Sequence, residues 1–202
     1  CRGRPLRCSP RRARRAAPPR GAGAIPRRAA PLLAFTTGFA TFCLEVAWFR
    51  CLRAAFQSTT DSFAIMLCSV LLPLAIGARM SAFVRRLPID PGHLLAVAGV
   101  LGFASTPLLE RFDLLAHGQG SYLVIMAAWL GASLVVIGPP TVILGAVLPW
   151  LLDDARDPRR WGWIYGTTTV GAIVGYILSA WALLPALGFS RTCWLVGIAM
   201  GA

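Results

Sequence analysis

The sequence predicts an all-α fold: a polytopic membrane bundle of five to six transmembrane helices behind a disordered, arginine-rich N-terminal arm. Three observations predict it. Hydrophobic residues make up 56% of the 202 residues and charged residues only 14%. Apolar stretches of membrane-spanning length follow one another from residue 31 onward. Ten of the 20 basic residues precede residue 29, and all 20 are arginine.

The arm, residues 1–30, consists mostly of arginine, proline, alanine and glycine. It has too little apolar surface to offset the conformational entropy of ordering, so we expect disorder there and a helical domain over 31–202. A formal charge of +12 is compatible with nucleic-acid binding. The arm has no aromatic residue on which a base could stack, so we predict no nucleic-acid partner.

A spanning helix needs about 20 apolar residues. Five stretches meet this requirement, and they run over 31–52, 62–84, 91–109, 121–152 and 163–187. The fourth is unusually long, and we expect Gly138-Pro139-Pro140 to break it. A sixth stretch begins near Thr192 and reaches Ala202, so we expect the domain to be truncated in its last helix.

The distribution of arginine predicts the orientation in the bilayer. With the N-terminus in the cytoplasm, alternating crossings place 16 of the 20 arginines on the cytoplasmic side. Cytoplasmic loops of membrane proteins are enriched in arginine and lysine. We therefore expect a multi-pass protein with a cytoplasmic N-terminus and the lipid bilayer as its first partner.

No soluble-enzyme site is evident in the sequence. There is no P-loop and no GxGxxG fingerprint, and the six cysteines form no CxxC pair. His93 and His117 have no carboxylate or cysteine at ligand spacing. We therefore predict no catalytic residue, no cofactor and no metal site in this chain.

The first helix carries a carboxylate, Glu45, within the stretch "FCLEVAWFRCLR". Phenylalanines recur on one face of this helix, which we expect to meet lipid, and Gly38, Glu45 and Trp48 share another face, which we expect to meet a neighbouring helix. Arg50 lies about 140° around the helix from Glu45, so we expect Glu45 to be reached instead by a hydroxyl, backbone amide or arginine of another helix. Two interpretations of Glu45 stay open: a proton or cation site, or a buried structural partner for Arg50, Arg53 or a helix-end group.

The fifth helix repeats the small-residue pattern, with Gly171 and Gly175 one GxxxG step apart. We expect this face to pack against the small face of the first helix. Gly162 and Gly166 form a second GxxxG step in the same helix. The residues predicted to matter are, for intramembrane polarity, Glu45, Trp48, Arg50 and Thr168, and, for helix packing, Gly38, Gly145, Gly171 and Gly175.

Four segments in order, "GFATFCLEVAWFR", "GPPTVILGAVLPWL", "WGWIYGTTTVGAIVGY" and "LLPALGFSR", resemble the membrane domain of bacterial spermidine synthase-like proteins, the fused transporter-like/spermidine synthase family. The matching residues of the first helix are Gly38, Glu45, Trp48 and Arg50. Those of later helices are Pro140, Gly145, Ala146, Pro149, Gly162, Tyr165, Gly171, Gly175, Leu184, Pro185 and Gly188. The chain departs from the family pattern at Thr168, where Asn is usual, and at Pro73, where Gly is usual.

The resemblance implies a bacterial inner-membrane protein of polyamine biosynthesis. Its relatives continue into a cytosolic Rossmann-like aminopropyltransferase domain, a transferase that uses decarboxylated S-adenosylmethionine and a polyamine. No motif of that domain lies within these 202 residues, so the expected role is a non-catalytic membrane domain that anchors or serves it. The alternatives are half of a transporter-like module that moves a small cationic or proton-coupled solute, and a structural membrane subunit. Homo-oligomerisation stays open.

Overall fold

The computed structural model describes residues 29–56, 59–111, 121–155 and 158–201, and every regular element in these ranges is helical. The α-helices of these described ranges are α1 (Ala29–Phe56), α2 (Thr59–Val84), α3 (Pro91–Leu109), α4 (Tyr122–Asp154), α5 (Pro158–Leu178) and α6 (Leu184–Gly201). A π-helical turn, Ser179–Leu183, joins α5 to α6. Residues 1–28 of the predicted arm lie outside the described residues, whereas Ala29 and Ala30 already belong to α1.

Five helical stretches of the described chain are long and apolar enough to cross a membrane, which confirms the predicted fold class. They are Ala29–Ala55, Phe63–Val84, Pro91–Leu109, Tyr122–Asp153 and Pro158–Gly201. Exposed tryptophans mark the two ends of one crossing, because Trp163 and Trp181 are 78% and 82% exposed. Their separation along a helix is about 27 Å, close to the thickness of a hydrocarbon core. Tryptophan favours the two membrane–water interfaces.

The contacts between helices define the direction of each crossing. Helices α1 and α5 run in parallel, since Gly38 meets Thr168 and, further along both helices, Arg50 meets Ala180. Helices α2 and α4 are also parallel: Asp61 accepts a hydrogen bond from Tyr122 at their first turns, and Arg85 pairs with Asp153 at their last.

Helix α6 is antiparallel to α3. The Phe103 ring contacts Trp194, with ring centroids 5.3 Å apart, while Glu110, further along α3, accepts a hydrogen bond from Ser190, which is earlier in α6. Helix α1 is parallel to α3, because Leu44 meets Gly102 and Cys51 meets Leu109. Since α5 is parallel to α1, α6 turns back relative to α5. The turn falls at Gly188, whose φ of 77° is a conformation that glycine adopts readily. The predicted sixth helix is therefore present as a separate element.

The predicted break in the fourth helix was wrong. Helix α4 continues through Gly138-Pro139-Pro140, and α2 continues through Pro73. The two sites pack on each other, since a Cβ on Gly138 would lie 3.6 Å from Cγ of Pro73. Membrane helices tolerate proline where neighbouring helices cover the affected backbone, and that is the situation here.

Glycines bring three helix pairs into backbone contact. A Cβ placed on Gly38 of α1 would lie 2.1 Å from the Thr168 oxygen of α5, and one on Gly77 of α2 would lie 1.9 Å from the Val142 oxygen of α4. In the third pair, a Cβ on Gly99 of α3 would lie 2.5 Å from the Gly197 oxygen of α6. Real Cβ atoms do not approach oxygen so closely, so each contact requires glycine.

These contacts reveal an internal repeat that the sequence analysis did not detect. Exchanging α1, α2 and α3 for α4, α5 and α6 leaves the set of packed helix pairs unchanged, except that α1 touches α3 whereas α4 and α6 do not touch within the described chain. In each of α1, α2, α4 and α5, the contacted carbonyl lies three residues before the contacting glycine. These carbonyl–glycine pairs are Phe35 and Gly38, Leu74 and Gly77, Val142 and Gly145, and Thr168 and Gly171.

Burial follows the same repeat. When α1 and α4 are aligned on Gly38 and Gly145, five further buried positions of α1 coincide with buried positions of α4. In α1 they are Ala34, Thr37, Ala40, Cys43 and Leu44, and in α4 they are Thr141, Leu144, Val147, Trp150 and Leu151. The described bundle is therefore two three-helix units of similar packing.

Substitution of Gly171 by Ala should destabilise the bundle, because the new Cβ would lie 2.3 Å from the Phe35 oxygen and force α1 and α5 apart. We expect a cost of about 1–3 kcal/mol, as for other overpacked contacts. Gly166→Ala is the matched control in the same helix, because nothing lies within 4 Å of its Cβ position. Thermal unfolding in detergent should show a lower Tm for Gly171→Ala only. Equal Tm values for the two variants would contradict the close contact.

Candidate functional site

The interface between α1 and α5 holds most of the sequence-predicted residues. Gly38 lies on the Thr168 carbonyl, and Gly171 and Gly175 lie on the carbonyls of Phe35 and Phe39. The predicted packing of the two small-residue faces is therefore confirmed. Because the helices touch through backbone atoms, residues that flank the glycines are held in a fixed register.

Polar bonds extend this interface toward the ends of α1 and α5. The Cys43 thiol donates to the Gly175 oxygen at 3.2 Å, and the Ser179 hydroxyl donates to the Cys43 oxygen at 3.2 Å. Both Cys43 and Ser179 are fully buried. In an apolar surrounding these bonds satisfy groups that would otherwise be costly to bury.

Arg50 closes the interface at its far end. Its guanidinium donates to the Ala180 oxygen at 3.0 Å. Ala180 belongs to the π-helical turn, in which the Leu184 amide bonds to the Ser179 oxygen five residues back. Turns of this kind are rare and occur often at functional sites. Arg50 therefore contacts the one π-helical turn in the described chain.

A cavity of about 310 Å³ lies beside this turn, between α1, α2 and α5. Its charged lining residues are Glu45, Arg50 and Arg53. The remaining lining residues are apolar or aromatic: Phe42, Val46, Phe49, Phe63, Met66, Tyr176 and Ala180. Cavities with an apolar wall and a few convergent polar groups are the usual form of small-ligand sites.

The phenylalanine stripe of α1 was expected to face lipid, but part of it faces other helices instead. Phe42 and Phe49 line the cavity, and Phe49 meets Phe63 of α2 edge to face at 6.1 Å between ring centroids. Phe35 and Phe39 are half-buried beside α5. The reason is that α1 is covered by neighbours on more than one side, so a bulky stripe also becomes a packing surface.

Glu45 is half-buried at the cavity wall. The expected partner of Glu45 is a hydroxyl, backbone amide or arginine of another helix. Within residues 29–56, 59–111, 121–155 and 158–201, no hydrogen bond or ion pair to Glu45 is present. The carboxylate therefore faces the cavity without a partner from the described chain.

Trp48 and Thr168 are packing residues rather than cavity residues. Trp48 is 2% exposed, and its indole N–H has no hydrogen-bond partner in the described chain. The Thr168 hydroxyl donates to the Ile164 oxygen of its own helix at 2.9 Å. Gly145, in the other helix pair, lies on the Leu74 carbonyl. Of the four polar candidates, the structure brings only Glu45 and Arg50 to the cavity.

Besides Phe42, Val46 and Phe49 of the apolar stripe, the cavity wall contains five residues that were not predicted for the site: Arg53, Phe63, Met66, Tyr176 and Ala180. Arg53 follows Arg50 on the next turn of α1, and this spacing was the available signal. No sequence signal indicated the cavity residues of α2 and α5, because their position depends on how those helices pack around α1.

A second cavity, of about 440 Å³, lies at the opposite end of α1 and includes Asp90 and His93. The His93 Nδ1 is 4.0 Å from an Asp90 carboxylate oxygen, and both side chains are well exposed. No group of three or more metal-binding side chains occurs in the described part of the chain. His117 lies outside the described residues.

The fold and the cavity define a class: a polytopic, all-helical membrane protein with a charged cavity between three helices. Comparison with protein-family models, curated proteins and solved structures gave no match to this chain.

Trp48→Phe should leave the free energy of unfolding unchanged or raise it slightly. The substitution keeps an aromatic ring in the core and removes a buried N–H that has no partner in the described residues. Trp48→Ala should instead cost about 3–5 kcal/mol, because it leaves a cavity. Denaturant unfolding in mixed micelles measures both. A cost for Trp48→Phe as large as that for Trp48→Ala would show that the N–H has a partner.

Proposed function

We propose that the chain is the non-catalytic integral-membrane domain of a spermidine synthase-like protein, which anchors or serves a cytosolic aminopropyltransferase domain. The observation that carries the proposal is the convergence of the family-like residues. Gly38 and Arg50 of the first motif contact the segment that holds Gly171, Gly175 and the turn after it. Residues that match one pattern, although far apart in sequence, thus form one interface.

The expected arrangement gives the membrane domain no part in bond making. Aminopropyl transfer requires a site for decarboxylated S-adenosylmethionine and a polyamine, and the family resemblance assigns that site to the cytosolic domain. The bundle would hold that domain at the inner membrane of a bacterium. Under this proposal, Glu45 and the arginines of the cavity serve the membrane domain itself.

The gene beyond codon 202 tests this proposal. We expect it to encode a glycine-rich strand–turn–helix unit and the expressed protein to transfer an aminopropyl group to putrescine. Deleting residues 29–201 should move the transferase activity from the membrane fraction to the soluble fraction while kcat is retained. A downstream sequence without a transferase domain would refute the proposal.

A second candidate is half of a transporter-like module, and the internal repeat favours it. Three crossings separate the start of α1 from the start of α4, so the second three-helix unit would enter the bilayer in the opposite sense. Inverted repeats of this kind are common in transporters, with the substrate site near the repeat interface. Six further helices encoded downstream would support this candidate instead.

The arginine distribution generates a prediction of orientation. Arg86 follows α2 and Arg111 follows α3, and both are exposed. In a background in which the native cysteines are replaced, Arg111→Cys should react with a membrane-impermeant maleimide in intact cells. Arg86→Cys should react only after the membrane is permeabilised, because arginine-rich ends are retained in the cytoplasm. The reverse labelling pattern would place the N-terminus outside.

A further inference from the structure

The cavity beside the π-helical turn contains charged groups of both signs that are not paired with each other or with other charged groups of the described chain. Glu45 and Arg53 have no hydrogen bond or ion pair with any residue in the described ranges, and Arg50 uses one amino group on the Ala180 oxygen. An arginine has five N–H donors. The cavity therefore offers a carboxylate and several guanidinium donors to a bound molecule.

We propose that this cavity binds a zwitterion on an apolar body: an ammonium group recognised by Glu45 and an anionic group recognised by Arg50 and Arg53. Guanidinium groups favour carboxylates and phosphates because their paired donors match two oxygens. An ammonium group supplies the donors that a carboxylate needs. The aromatic wall contacts the apolar body, and its ring faces also attract an ammonium ion.

Ligands of a single charge fit this site less well. A polyamine places several ammonium groups beside two guanidinium groups, and repulsion between like charges opposes binding. A simple organic anion satisfies the arginines but stands next to the Glu45 carboxylate. Only a ligand that carries both a positive and a negative group can pair every charged side chain of the wall with a group of opposite charge. Ligands with charges of one sign are disfavoured by like-charge contacts.

The size and place of the cavity limit the bound part of the ligand. A volume of about 310 Å³ is at the lower end of the range for small-molecule sites. It accommodates a small zwitterion or the headgroup of a lipid. Arg50 and Arg53 lie in the last two turns of α1, where a headgroup at the membrane surface would reach them. The two sources share one chemistry: an amino-phospholipid of the bilayer, or a free apolar amino acid.

The geometry of the site adds a reason to treat it as built for a ligand. The carbonyl of Ala180, within the π-helical turn, accepts a hydrogen bond from Arg50. This bond holds the guanidinium at the cavity wall. The second unit of the repeat has no carboxylate at the matching position, since aligning α1 with α4 places Leu152 at the position of Glu45. The cavity carboxylate therefore has no counterpart in the second unit of the repeat.

Binding of short-chain phospholipids to the purified chain in detergent tests the proposal. We expect dihexanoyl phosphatidylethanolamine to bind about tenfold more tightly than dihexanoyl phosphatidylglycerol, which lacks the ammonium group. Glu45→Gln should remove this preference by weakening only the ethanolamine lipid. Arg53→Gln should weaken both lipids about tenfold, because the phosphate loses a charged donor pair.

Matched variants control for general effects of charge and folding. Glu110→Gln and Arg191→Gln lie at the same end of the bundle but outside the cavity, and they should leave both affinities unchanged. Circular dichroism and Tm verify that each variant is folded. Displacement of the ethanolamine lipid by leucine would support the proposal with a free amino acid as the ligand. Binding of the lipid without competition from leucine would support it with the bilayer as the source.

Two results would overturn the proposal. The first is equal affinity of the wild-type chain for the two lipids, or an equal effect of Glu45→Gln on both. The second is displacement of the ethanolamine lipid by spermidine at concentrations at which leucine and phosphatidylglycerol have no effect, because that would define a cation site. Either result leaves the proposed membrane-domain function intact, since that function is tested by the location of transferase activity.

Discussion

The structure depends on the close approach of parallel helix backbones at glycine–carbonyl contacts. An apolar side chain gains no hydrophobic free energy when it moves from lipid into a helix interface. Helices in a bilayer therefore associate mainly through van der Waals contact and polar bonds. At Gly38, Gly77, Gly145 and Gly171 the absence of a Cβ allows a neighbouring carbonyl to touch the helix surface. The pairs α1–α5 and α2–α4 form in this way, and the remaining helices pack around them.

This constraint positions the candidate site. Because α1 and α5 are in contact along Gly38, Gly171 and Gly175, the end of α1 lies against the turn that follows α5. Arg50 then reaches the Ala180 oxygen, and Glu45 faces the space between α1, α2 and α5. A charged cavity thus arises at the edge of a backbone contact made of small residues.

The internal repeat distinguishes residues that pack the helices from residues with a role in one three-helix unit only. Glycine contacts and buried positions recur in both three-helix units, as expected of residues whose role is packing. Glu45 does not recur, because its counterpart is Leu152. A residue that breaks a repeat, is polar and lies within an apolar helix is a candidate for function. The salt bridge between Arg85 and Asp153, in contrast, ties together the exposed ends of α2 and α4 and belongs to the scaffold.

By itself the sequence determined the helical membrane class, the approximate positions of the spans, and the small faces of α1 and α5. These features depend on local composition and on a period of 3.6 residues, which are legible in one chain. The sequence did not show that Gly171 and Gly175 contact α1 while Gly162 and Gly166 face open space, although both pairs have the same spacing. Nor did it show that α4 continues through two prolines, or that Phe42 and Phe49 line a cavity with Glu45. These outcomes depend on which helix lies beside which, and only the tertiary structure decided that.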